Sequence, residues 1–147
     1  MDNTTIIRAS VVDAEKIEPL FSLYREFYGI RNDRSAAIEF LRARLENEES
    51  TLFYAKKDGR IIGFVQLYPS FSSASLKKVF ILNDLYVLES ERGKGVAKLL
   101  IGKAIEFCTE QKCARISLST AKDNPAQKLY EEVGFKESTF KFYNYNL

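Results

Sequence analysis

No histidine occurs among the 147 residues. That absence removes Ser-His-Asp and Cys-His nucleophile pairs, histidine zinc ligands and histidine acid/base catalysis together, so any chemistry must rest on other groups. Cysteine is almost as scarce. Cys108 and Cys113 are too few for a disulfide framework, and their spacing matches no common zinc signature; they read as reduced core thiols, and no metal site is expected. The three prolines fall at expected element boundaries, and no Pro/Gly/Ser-rich linker, repeat or low-complexity tract divides the chain. Met1 to Ser10 is polar and then strand-like, without a long apolar run behind a basic start, so neither a signal peptide nor a membrane span is expected, and a cytoplasmic location follows. A charge surplus is missing too: 22 basic against 20 acidic residues leave a formal charge of +2, far from the excess that marks a dedicated nucleic-acid binder.

What the chain does have is an ordinary globular balance, 46% apolar and 29% charged residues, enough for one domain over residues 1–147 with its own core. Charge is unevenly spread. Residues 1–50 carry 7 basic and 10 acidic side chains, and residues 51–147 carry 15 and 10, a polarity suited to an anionic cofactor on the C-terminal half and a cationic substrate on the N-terminal half.

Thr5–Ala9 reads as a first strand, and Asp13 offers an N-cap for a helix with Ile17, Leu20, Phe21, Tyr24, Phe27 and Tyr28 at helical spacing. A second helix is expected from about Asp33 to Glu48. Thr51–Ala55 and Arg60–Tyr68 form an antiparallel hairpin about Asp58-Gly59. Pro69–Ser75 reads as a polar loop and Lys77–Val87 as a central strand. Helical spacing returns from Val96 to Cys108, followed by a strand at Ala114–Ser119. Asn124 then caps a last helix, with Pro125 at its first position, Gln127 completing a capping box and Gly134 ending it. The tail from Phe135 to Leu147 alternates aromatic and polar residues and reads as one or two closing strands.

Chemistry concentrates where a strand, a glycine loop and a helix start coincide: Asn83-Asp84-Leu85-Tyr86-Val87, then Arg92-Gly93-Lys94-Gly95-Val96-Ala97. Unpaired amides at a helix N-terminus attract anions, and glycines permit close approach, which makes the loop a candidate diphosphate cradle. It lacks both the nucleotide-triphosphate loop and the dinucleotide glycine order.

Arg92-x-x-Gly95-x-Ala97 resembles the cofactor signature of the GNAT superfamily, the acetyl-CoA-dependent N-acetyltransferases, and Asn124 to Tyr130, followed by Gly134-Phe135, resembles that family's second cofactor motif. The resemblance covers nearly the whole chain. It implies an α/β fold with a mixed, mostly antiparallel sheet of six to seven strands flanked by about four helices. It implies that amides from Gly93 through Lys94, Gly95 and Val96 to Ala97 hold the coenzyme A diphosphate, with Arg92 and Lys94 adding charge. Leu85, Tyr86 and Val87 would offer backbone groups to the pantetheine arm in a splayed gap between the fourth and fifth strands, and Asn124 would hydrogen-bond it. Tyr130 would be the general acid toward the leaving thiolate, since a phenol with a reference pKa near ~10 stays protonated at neutral pH.

An amine attacks a thioester directly, so no protein nucleophile is required. The Val87 amide would stabilise the developing oxyanion. The incoming ammonium must lose its proton to a carboxylate or to a water chain ending on one, and Asp84 and Glu26 are the candidates. The resemblance further implies an acceptor pocket built from the first two helices and the loop before the fourth strand, here Phe21, Tyr24, Glu26, Phe27, Tyr28 and Tyr68–Ser73 with Phe71, and aromatics beside a carboxylate suit a cation. The Tyr68–Ser73 run with Asn-Asp-Leu-Tyr-Val is similar to a branch that includes yeast histone- and polyamine-acetylating enzymes; the polyamine-acetylating relatives carry glutamate where this chain has Asn83. The expected activity is acetyl transfer from acetyl-CoA to a small amine or a lysine side chain. The rival is a noncatalytic acyl-CoA-binding sensor or interaction module on the same fold. Nucleic-acid binding has only scattered lysines behind it. The aromatic tail leaves an edge for strand exchange, so a homodimer is a hypothesis.

Overall fold

β-Branched and aromatic runs form one sheet in strict sequence order. In the computed structural model, which describes residues 3–147, β1 (Thr4–Arg8), β2 (Thr51–Lys57), β3 (Arg60–Ser72) and β4 (Lys77–Val87) pair antiparallel, and β5 (Ile116–Ser117) adds to β4 in parallel. Met1 and Asp2 lie outside the described residues. Helices α1 (Ala14–Phe27) and α2 (Arg34–Glu46) cover one face, with Ile17, Phe21 and Leu41 packed on Leu52, Tyr54 and Phe64. The other face carries α3 (Val96–Glu110), whose Leu100, Ile101 and Ala104 pack on Phe53, Val65, Leu67 and Phe80. Leu129, Tyr130 and Val133 of α4 (Ala126–Val133) reach the same core, although α4 buries no residue completely.

The expected six to seven strands are five among the described residues, because Phe135–Leu147 forms none. Its alternating pattern suits a strand, but a strand needs a partner edge, and β5 presents only two residues. Phe140, Phe142, Tyr143 and Tyr145 are accordingly exposed. The strand expected over Ala114–Ser119 shrinks to Ile116–Ser117, because its pairing with β4 stops at Ile81, just short of the register shift at Asn83. Pro19 and Pro69 lie inside α1 and β3 rather than at boundaries. Pro69 is tolerated because β3 outruns β2, whose last partner is Leu67, so the Pro69–Ser72 segment expected as loop continues the hairpin with β4.

Caps differ in detail. Asp33 caps α2 through Ala36 N at 3.1 Å. Asp13 instead accepts from the Ser10 amide at 2.9 Å, fastening a 3₁₀ turn ahead of α1. Glu18, buried on α1, accepts from Arg34 at 3.0 Å and so ties the two helices. The Cys108 thiol is raised to about 12 by burial, with the neighbouring Cys113 adding to it, and both cysteines are free.

Gly63 marks the tightest crossing of sheet and helix. A Cβ there would stand 3.1 Å from the Tyr86 carbonyl oxygen, 3.3 Å from Leu100 Cδ1 and 3.3 Å from Val87 Cγ2. Gly63→Ala is expected to cost about 1–3 kcal/mol through overpacking, read as a lowered midpoint in thermal unfolding.

Candidate active site

One extra residue in β4 organises the site. Leu67 pairs with Leu82 but Gln66 pairs with Asp84, leaving Asn83 as a bulge. Strand alternation alone places Asn83 with Leu85 and Val87; because of the bulge, Leu82 packs on the α3 face with Leu85 and Val87, while Tyr86 turns to α1. Hydrogen-bonding directions flip as well. Phe80 donates toward the β5 side, to Arg115 O at 3.2 Å, whereas Leu88 donates to Ile62 O on β3 at 2.9 Å. Alternation then turns the Val87 peptide groups to the open edge, where Arg92 Nε donates to Val87 O at 2.9 Å. That carbonyl, offered above to a pantetheine arm, therefore already has one partner. Arg92 also lies over the Tyr86 ring, 5.2 Å from its centroid.

The loop after β4 is held from below. Glu91, buried, accepts from Lys57 at 3.1 Å and Arg60 at 2.8 Å, with Lys94 Nζ at 3.5 Å. The Lys57 hydrogen bond is the largest cause holding its carboxyl below the usual range. Gly93 and Gly95 adopt φ of +77° and +84°, the left-handed region that favours glycine. Gly95 is the N-cap of α3 and has no side chain to cover the first-turn amides, which by helix geometry have no internal acceptor.

Two adjoining cavities share Val87, Arg92, Ala97 and Leu129. The first, about 370 Å³, is lined by the loop residues Gly93, Gly95 and Val96 with Glu91 and Lys98. The second, about 290 Å³, brings together Tyr24, Phe27 and Tyr28 from α1, Leu85 and Tyr86 from β4, and Asn124 and Tyr130 beside α4. Lys94 points to Glu91, and Glu26 is exposed on α1; neither lines these cavities. Phe71, 77% exposed, lies on the far stretch of the β3–β4 hairpin; Tyr68 is half-buried near Asp84 but does not line the cavity, and Phe21 is core.

Asp84 is only 3% exposed and sits behind the cavity wall rather than on it. Burial raises its pKa, and bonds from Gln66, Asn83 and Tyr24 pull it back. Burial also raises the Tyr130 phenol, favouring its protonated form, and the ring meets Phe135 edge-on at 5.9 Å. Asn124 differs from the expected cap: α4 starts at Ala126, Asn124 Oδ1 accepts from Ala126 N at 2.9 Å, and the Gln127 amide donates to loop carbonyls including Ala121 O instead of closing a capping box.

Sequence reasoning did not select Gln66, Leu129, Ser119 or Thr120. Gln66, with 0% exposure in a strand of apolar neighbours, was detectable as a lone polar residue at an inward position; Ser119 and Thr120 carry no local signal, since only the divergence of the chain after β5 brings them to the cavity.

Removing the charge at residue 91 tests the loop's foundation. A carboxyl with a depressed folded pKa stabilises above its unfolded value and loses that contribution as pH falls through the folded one. Glu91→Gln is expected to melt lower than the wild type at pH 7, with the gap narrowing below about pH 4 in melts run across pH.

Comparison with known proteins agrees with this geometry. Residues 17–135 match the Acetyltransferase (GNAT) family. The chain is 44% identical over 135 residues, 91% of each sequence, to YhfO, an uncharacterized N-acetyltransferase of Bacillus subtilis strain 168. It is 30% identical over 98 residues, 64% of this chain and 68% of the other, to an aminoglycoside N(6')-acetyltransferase type 1 of Salmonella typhimurium. A crystal structure of a probable acetyltransferase superposes with a TM-score of 0.93 at 43% identity, covering 97% of both chains. With a glycine-capped helix start facing an open strand edge and relatives of this closeness, the chain belongs to the GNAT family of acetyltransferases.

Proposed function

We propose that residues 1–147 form a single domain that transfers the acetyl group of acetyl-CoA to a primary amine by direct attack in a ternary complex. The observation that carries this reading is the junction of the two cavities, which lets one extended ligand reach from the α3 N-terminus to Tyr130 and the α1 aromatics. Gly93 to Ala97 hold the diphosphate through amides, with Arg92 at the rim. Leu85 to Val87 and Asn124 border the pantetheine. Tyr130 protonates the leaving thiolate and the Val87 amide, facing the gap, stabilises the oxyanion. Asp84 is the base; Glu26, exposed and away from the cavities, is the weaker candidate.

The acceptor is a cation-forming amine. Tyr24, Phe27 and Tyr28 offer ring faces to it, and the aminoglycoside-acetylating relative supports a small polyfunctional amine. A likeness to histone- and polyamine-acetylating enzymes has only the Tyr68–Ser73 run and the Asn83–Val87 run behind it, and Asn83 disfavours a polyamine.

Tyr130→Phe is expected to lower kcat by at least about 10²-fold while acetyl-CoA binding by calorimetry stays within a few-fold of wild type. Tight binding without turnover of any amine by the wild type would favour an acyl-CoA sensor instead.

We also propose a cytoplasmic homodimer. Among the described residues no helix is long and apolar enough to cross a membrane, and the exposed aromatics from Phe140 to Tyr145 lie on a tail without a strand partner. Light scattering should give twice the 16.9 kDa chain mass; a monomer at working concentration would remove the dimer.

A further inference from the structure

The carboxylate best suited to accept the acceptor's proton does not touch the cavity. Asp84 is closed off, and its polar neighbours that line the cavity wall are Tyr24 and Asn83; of these only Tyr24 carries a group that can both accept and give up a proton. The Tyr24 hydroxyl donates to Asn83 O at 3.1 Å, next to the Asp84 carboxyl, whose pKa it helps to pull down. Asn83 Nδ2 donates to Asp84 Oδ1 at 2.9 Å and Gln66 Nε2 to Oδ2 at 2.5 Å. The Tyr24 ring is held by edge-on contacts with Phe64 at 6.1 Å and Tyr28 at 5.1 Å, so its oxygen stays in place and only the O–H bond can swing between Asn83 O and the Asp84 carboxyl.

Gln66 poses a separate puzzle. It is wholly buried, and its Oε1 has no partner, although an unpaired buried carbonyl is costly. The neighbour of that amide is the one group in the cluster whose needs change during a proton transfer. An ionised Asp84 wants donors; a protonated one must donate. A half-turn of the Gln66 amide exchanges Nε2 for Oε1 and serves the second state as the first is served now.

We propose that Tyr24 passes the acceptor's proton from the cavity to Asp84, and that Gln66 is the positioning residue that serves both protonation states of that carboxyl. The assignment rests on the acetyltransferase reading above. In the step, the Tyr24 O–H bond first turns from Asn83 O to the Asp84 carboxylate; the ammonium N–H bond then breaks as its proton goes to the Tyr24 oxygen, and the Tyr24 O–H bond breaks as its own proton goes to Asp84. The products are a neutral amine, an intact phenol and a neutral carboxylic acid, with no electron transferred. Asp84 returns its proton to solvent by the same route after the amide has formed, matching the single proton that acetylating an ammonium releases.

The surrounding groups fit a concerted relay. Burial, and then the Asp84 charge, push the Tyr24 phenol far above its ordinary value, so a free phenolate is disfavoured and the oxygen must gain one proton as it loses the other. Around the pair stand Tyr28 from α1, Tyr68 from β3 and Asn83 from β4, with Arg44 of α2 acting on Tyr68. Tyr68 is itself raised by burial and by Asp84, so it stays neutral and offers the proton no second exit.

Two amines of similar shape test the idea. Benzylamine is an ammonium at neutral pH; phenylhydrazine is already neutral and needs no initial deprotonation. In Tyr24→Phe, kcat/KM at pH 7 should fall about 10²-fold for benzylamine and by no more than about threefold for phenylhydrazine. In Gln66→Leu, loss of a bond to the ionised carboxyl should move the acidic limb of the benzylamine pH profile upward by about one unit, with activity recovering at high pH. Equal losses for both amines in Tyr24→Phe, or an unmoved limb in folded Gln66→Leu, overturn the relay while leaving the transferase standing. If Gln66→Leu does not fold, Tyr24→Phe decides alone. A wild-type protein that binds acetyl-CoA but acetylates neither amine overturns the underlying reading, and the relay with it.

Discussion

The interruption of β4 at Asn83 governs the rest of this molecule. Before it, the strand's outward amides and carbonyls meet the chain leading to β5; after it, the opposite set faces that side and β5 has already ended. A parallel strand following β4 to its end would close the gap between Val87 and α4, and no cavity would be left. The same interruption puts Asp84 on the α1 side, opposite Gln66 and behind Tyr24. One inserted residue thus opens the ligand groove and seats the buried acid beside it, in keeping with the tendency of bulges to occur next to active sites.

The groove is then braced by charge. Glu91 gathers Lys57 and Arg60 from β2 and β3 and Lys94 from the glycine loop, so the loop is anchored to the sheet rather than only to α3. Lys94 is used in this anchor, and the exposed positive groups nearest the helix start are left to Arg92 and Lys98. Lys98 pairs with Glu132 at 3.0 Å and ties α3 to α4. Charge on this face therefore shapes the groove through ion pairs within the chain.

Much of the architecture was legible from local signals. Helical periodicity located α1, α2 and α3 to within a few residues, Asp58-Gly59 located the hairpin, and the two glycines located the loop, because each depends on short-range geometry. The bulge was not legible: alternation through Leu82–Val87 reads as unbroken, and only the pairing with Gln66 and Leu67 reveals the extra residue. For the same reason Asp84 stood out as a carboxylate while its screening by Tyr24 did not. The tail misled in the other direction, since its aromatic alternation satisfies every local criterion for a strand and still finds no edge to pair with.

The last helix is attached differently from the others. α4 covers the groove with Leu129 and Tyr130, yet buries none of its residues fully and joins a sheet whose neighbouring strand is two residues long. Its opening free energy belongs at the low end of the molecule's range, and a ligand lodged between α4 and β4 would supply the cohesion that the polypeptide withholds. α4 then works as a clasp, weakly held by the polypeptide itself and tightened by whatever the groove takes in.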